Sequence, residues 1–239
     1  MTALACMLWA HGCVALAQSL HVEPVMIEAG AEATLIWSGG GDHTYITGLG
    51  RVADQGTARV HAVRSTTYWL VTERGGATLS ASAVLTVTGQ REVPGSPDLV
   101  LPQIASLSGG KRREVTGVPF TEFLDAVDTA LRDAWAAEPL WLHKPHEPFY
   151  TAVTERLIRP EFVRPSDKGI GQRRVAFMVR AYEPARASPI MIAYEVRSKV
   201  ESRFRNEADF VEEKDPTISR DLADKLDAEI RQLLRPRSR

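Results

Sequence analysis

From His21 to Thr88 apolar and polar residues alternate with period two, and nothing in this stretch repeats with the period of a helix. In "EATLIWS" the pattern sets Ala33, Leu35 and Trp37 on one face. In "TARVHAV" it sets Ala58, Val60 and Ala62 together. "TTYWLVT" groups Tyr68 and Leu70 with Thr72 and turns Trp69 to the opposite face. "SASAVLTVTG" aligns Ala81, Ala83, Leu85 and Val87. Turn signals separate these runs: Gly39–Asp42, the pair Gly48 and Gly50, and the hairpin signal Gly75-Gly76. Short strands at near-regular spacing predict an all-β sandwich over residues 20–89.

The alternation stops at Gly89. "GQREVPGSPDLVLPQ" carries Pro94, Pro97 and Pro102 and has no period, which predicts a linker over 90–107. A second region, 108–236, begins with a helical stripe of Phe120, Phe123, Leu124, Val127, Leu131 and Trp135, with Thr121 as its expected N-cap after Pro119. Strand-like runs follow from Phe149, from Gln172 and from Ser188, the last two joined by a short loop between Pro184 and Pro189. In the second run Val175, Phe177 and Val179 are expected inside, with Arg174, Met178 and Arg180 opposite. Ile218, Leu222, Leu226, Ile230 and Leu233 form the stripe of a final helix opened by Asp215-Pro216. An antiparallel sheet with two amphipathic helices follows from the need to bury these faces. The predicted fold class is therefore mixed: an all-β sandwich followed by an α+β domain with an antiparallel sheet and two amphipathic helices.

Composition changes this picture at one end only. The chain has 239 residues, 44% hydrophobic and 25% charged, with a formal net charge of -1, so no global field favours nucleic acid. The first 17 residues contain no Lys, Arg, Asp or Glu and end in Ala15-Leu16-Ala17. That is the form of a secretory signal peptide cut after Ala17, although no basic residue precedes the apolar stretch. The expected location is the periplasm or outer membrane. Cys6 and Cys13 both lie in this segment, so a mature chain has no thiol. The rival expectation is membrane anchoring by lipidation at Cys6 or Cys13.

The sandwich region has a more specific signature. Gly30 precedes a strand, and Leu35-Ile36-Trp37-Ser38 places a core Trp. Ile46-Thr47 runs into Gly48-Leu49-Gly50, and Gly56 precedes Ala58-Arg59-Val60. Thr66-Thr67-Tyr68 enters the next strand and Ala83-Val84-Leu85-Thr86-Val87 closes the region. In these residues the region resembles the bacterial immunoglobulin-like domains of secreted and cell-envelope proteins. Two departures stand out. Ser65 occupies a position where a Pro-like residue is usual, and Tyr68 follows the second Thr without a spacer. These motifs imply a fold and not a ligand. No comparable motif marks the second region.

Catalytic patterns are sparse. There is no Gly-x-Ser-x-Gly elbow and no phosphate-cradling glycine loop. "LHKPHEP" offers His143, His146 and Glu147 as a candidate metal element, although Pro145 and Pro148 work against one helical face, and the plain alternative is a polar loop. Lys111-Arg112-Arg113 and Arg173-Arg174 lack neighbouring aromatics for stacking on bases and fit a solvated strand face, or contact with anionic envelope polymers. Trp69 and Tyr45 are candidate ligand-binding aromatics, with Trp69 expected to face outward. The reading is a non-enzymatic cell-envelope protein: an Ig-like spacer or adhesion module joined to a C-terminal partner-binding domain. Its expected partner is an envelope protein or a cell-wall polymer, with no nucleic acid and no cofactor. The alternatives are a cell-wall-directed hydrolase with its site in the C-terminal domain, or a carbohydrate-binding module.

Overall fold

The computed structural model describes residues 18–75, 77–89, 112–134, 139–143, 147–158, 170–184, 190–204, 209, 211–212 and 216–235. The expected signal peptide, the 90–107 linker, Trp135, His146 and Asp215 lie outside the described residues.

The first half is built from eight strands: β1 (Ser19–Glu23), β2 (Met26–Glu28), β3 (Glu32–Ser38), β4 (His43–Ile46), β5 (Gly50–Val52), β6 (Gln55–His61), β7 (Thr66–Arg74) and β8 (Ala77–Thr88). They form one sheet of order β1-β3-β6 and another of order β2-β8-β7-β4-β5. All pairs are antiparallel except β2 with β8. β7 and β8 pair antiparallel out to Arg74 with Ala77, as the expected hairpin requires.

Alternation decides what each sheet buries. Leu20, Val22, Ala33, Leu35, Trp37 and Val60 from the first sheet share a core with Ile46, Tyr68, Leu70, Ala83, Leu85 and Val87 from the second. Trp37 shows why glycine is needed at the start of β6. Its indole lies over Gly56, where an added Cβ would stand 2.7 Å from a ring carbon. The same indole donates Nε1–H to the Ala53 carbonyl at 2.8 Å.

The second half contains β9 (Arg112–Thr116), α1 (Phe120–Thr129) continued by a π-helical turn (Ala130–Ala134), β10 (Leu140–Leu142), β11 (Phe149–Ile158), β12 (Ile170–Tyr182), β13 (Met191–Phe204), β14 (Val211–Glu212) and α2 (Pro216–Leu233). The sheet runs β10-β11-β12-β13, and β9 and β14 pair with opposite ends of the long β13. Strand β9 is not foreshadowed, because "RREVT" has a single apolar residue; its partners on β13 hold it in place.

Both helices lie on one face of this sheet. Val175, Phe177, Val179, Tyr194 and Val196 join the helical stripes in one core. The opposite face is covered too at Ala176 and Met178. Helix α2 departs slightly from its predicted stripe. Ile218, Leu222, Leu226 and Ile230 are buried as expected, but Leu233 is 40% exposed and Leu234 takes the last contact. The reason is spacing, since Leu234 follows Ile230 by four residues and stays in line with it.

A buried carboxylate docks α2 on the sheet. Asp227 Oδ1 accepts the Tyr194 hydroxyl at 2.6 Å, while Oδ2 meets Arg113 Nη1 and Arg231 Nε, each at 3.1 Å. Arg173 and Arg174 are not a solvated strand face. Arg173 is 1% exposed with Nε donating to Ser202 Oγ at 3.3 Å, and Arg174 pairs with Glu201. Lys199 Nζ meets the other Glu201 oxygen at 2.8 Å. Burial would raise the Glu201 pKa, but Lys199 and Arg174 together hold it below the ordinary glutamate range.

Candidate functional site

The two halves meet along β7. Its positions Tyr68 to Glu73 are all buried. Tyr68 and Leu70 point into the first core, whereas Trp69 and Val71 join Tyr45 in the core of the second half. The expected outward turn of Trp69 therefore holds for the strand, yet the ring is only 7% exposed. Helix α1 and β10 cover it. Tyr45 is fully buried, and its hydroxyl lies 3.4 Å from the Leu124 carbonyl of α1. Neither side chain presents a face on which a sugar ring could stack.

The seam is held by polar groups as well as by area. Glu73, at the end of β7, sits at the amino end of α1: Oε1 accepts Phe120 N–H at 2.6 Å, and Oε2 accepts Thr121 N–H at 3.3 Å and the Thr121 hydroxyl at 2.8 Å. The helix thus starts two residues earlier than the sequence suggests. Pro119 holds the N-cap position and can offer no side-chain acceptor, while Thr121 donates from inside the first turn. The missing acceptor arrives from another sheet, with a negative charge suited to the helix dipole.

At the other end of the helix, Arg132 Nη2 donates to the Gly48 carbonyl at 2.6 Å and pairs with Asp128 at 3.2 Å. Asp128 also accepts Trp141 Nε1–H at 3.1 Å. Burial raises the Tyr45 phenol well above its ordinary pKa, with Asp128 and Asp125 adding to the effect, so Tyr45 stays neutral.

The "LHKPHEP" segment contributes to packing. The His143 ring stacks on Tyr150 with centroids 4.0 Å apart and meets the edge of Trp69 at 4.8 Å. Its Nδ1–H donates to the Phe149 carbonyl at 2.8 Å. Glu147 is half-buried. Among the described residues no three or more His, Cys, Asp or Glu side chains are gathered so as to hold a metal.

Beside the seam lies a half-open cleft of about 430 Å³. It is lined by Arg59 to Arg64 from the end of β6 and the link after it, by Thr47 and Gly48, and by Arg132 and Trp141. Its acid–base lining is one-sided: Arg59, His61, Arg64 and Arg132 are present, and among the described lining residues there is no Asp or Glu. Carboxylates outside the lining meet some of these groups. Glu32 lies 3.6 Å from Arg59 and 3.7 Å from His61, and Asp128 lies behind Arg132. No single stretch of sequence signals this cleft, because Arg132 is 68 residues from Arg64 and reaches it only through α1 docking.

Among the described residues no helix is long and apolar enough to cross a membrane. No protein-family model, curated protein or solved structure matches the chain.

Proposed function

We propose that the chain is a non-enzymatic protein of the bacterial cell envelope, exported to the periplasm or outer membrane. In it an immunoglobulin-like sandwich serves as spacer and platform for a C-terminal α+β region that contacts an envelope protein or cell-wall polymer. The observation that carries the architectural part is strand order. Lettered along the chain as in such sandwiches, β1, β3 and β6 stand in the A-B-E order, and β8, β7 and β4 in the G-F-C order of the opposing sheet. The platform role draws on Glu73 and Arg132, which tie the sandwich to α1 by hydrogen bonds rather than through the linker alone.

A contact surface is available on the second half. Phe204 is 44% exposed, and Val211 is 51% exposed on the strand paired beside it. These residues sit away from the seam and carry no catalytic group. The test is fractionation of cells producing the tagged chain, with a photo-crosslinking residue at Phe204 or Val211 and a control at Met26. Recovery from the envelope fraction with crosslinks to one envelope component at the first two positions is expected. A cytosolic chain, or equal crosslinking at Met26, would overturn the proposal.

A further inference from the structure

We propose that the chain pairs with a second copy of itself along β6, strand against strand, to form a two-fold dimer. This rests neither on where the protein resides nor on the surface that meets its envelope partner. The first argument is an unused edge. Strand β6 ends the sheet β1-β3-β6, and among the described residues its outer side meets no other strand. At seven residues it is the longest strand to end a sheet among the described residues; β1 and β9 have five, and β2, β5, β10 and β14 have three or fewer. Short length, a proline or a bulge commonly keeps such an edge from pairing with another chain. Gln55–His61 contains no proline, and it pairs with β3 residue for residue without a register shift.

The core is open on the same side. At the other edge of this sheet the inward residues of β1, Leu20 and Val22, are buried. On β6 the inward residues Gly56 and Ala58 are only half-buried, and Val60 alone is buried. Beside Arg59, Val60 and His61 the cleft leaves open space, so the second half does not close over this end of the strand. An added strand would cover Gly56 and Ala58 and would give partners to the outward backbone amides and carbonyls.

Register favours a second copy as the added strand. An antiparallel ladder about a two-fold axis sets each residue opposite one on the same face. Centred on Ala58, the ladder uses all seven residues: Ala58 faces its own copy, Gly56 faces Val60, Thr57 faces Arg59 and Gln55 faces His61. No charge then directly faces a like charge, and each Arg59 keeps Glu32 of its own chain 3.6 Å away. Moving the axis to Arg59 would set that guanidinium opposite itself. A single strand pair is a small interface, so the dimer is a weak, concentration-dependent one.

The experiment is sedimentation equilibrium of the full chain across a concentration series, with a reductant to keep Cys6 and Cys13 from linking two copies. A monomer–dimer equilibrium is expected. Thr57 is exposed and faces Arg59 of the second copy, at two symmetric pairs. Thr57→Glu should therefore tighten the dimer about threefold, and Thr57→Lys should weaken it about threefold. Thr86→Lys, exposed on β8 in the other sheet, should leave it unchanged. In the unmodified chain, amides of β6 should exchange more slowly at high protein concentration than at low. A chain that stays monomeric up to about 1 mM overturns the proposal. So does a dimer that both Thr57 variants shift in the same direction, or one whose concentration-dependent protection lies outside β6.

Discussion

The two cores of this protein are built by different rules. In the first half strands such as β3 bury one face, so the sequence alternates and the core can be read from it: Ala33, Leu35 and Trp37 are the clearest example. In the second half the central strand is covered on both sides. Val175, Phe177 and Val179 face the helices while Ala176 and Met178 are buried behind them. Strand β7 obeys the second rule inside the first half, with Tyr68 and Leu70 in one core and Trp69 and Val71 in the other. A strand that serves two cores makes two regions into one mechanical object.

The largest test of this view is Trp69→Ala. It empties a buried indole site at the seam and should cost about 3–5 kcal/mol in chemical denaturation. If the halves are coupled, the whole unfolding curve moves as one transition. A biphasic curve with only one limb displaced would separate them. Glu73→Ala comes next, because it leaves two backbone amides and a hydroxyl without their acceptor. About 2–3 kcal/mol should be lost, and Glu73→Gln, which keeps an acceptor oxygen, should recover part of it.

Asp227→Ala sharpens the contrast from the other side. It breaks a contact internal to the second half, leaves the Tyr194 hydroxyl buried without its partner, and should cost about 1–3 kcal/mol. Hydrogen exchange in β3 and β6 should then rise only through global unfolding, in step with the measured loss. A smaller, pH-dependent effect is expected from Glu201. Its folded pKa lies below the ordinary 4.5, so its contribution is complete above that value and is lost as pH falls through the lowered one. Glu201→Gln should flatten this acid limb of the stability profile, and an unchanged limb would assign it to other carboxylates.

Much of the fold was legible because local pattern and tertiary burial agree. The helical stripe from Phe120 to Leu131 and the strand from Phe149 are where the period sets them. The misses share a physical cause. Period two tells which residues share a face but not whether that face is wet, so it sets Trp69 opposite Tyr68 and Leu70 without showing that the second half covers it. Strand β9 is polar along most of its length and exists through its hydrogen bonds to β13. In the sequence Glu73 is one charged residue at a strand end, and its role appears only when a helix start 47 residues later is brought to it. His143 offered ligand chemistry in a short motif, but Tyr150 and the Phe149 carbonyl engage both its ring face and Nδ1.

The carboxylate at the start of α1 also bears on how the chain could be divided. Cutting between residues 89 and 112 would sever no strand or helix among the described residues. By topology this is an ideal place to split the protein. Yet each fragment would then hold half of a complementary surface: a buried-type anion beside a bare Trp69 on one, and open amides beside bare aromatics on the other. Such fragments are built to find each other. The proline-bearing stretch between the two halves would be dispensable as a covalent tether, and the two pieces would behave as partners that reconstitute on mixing.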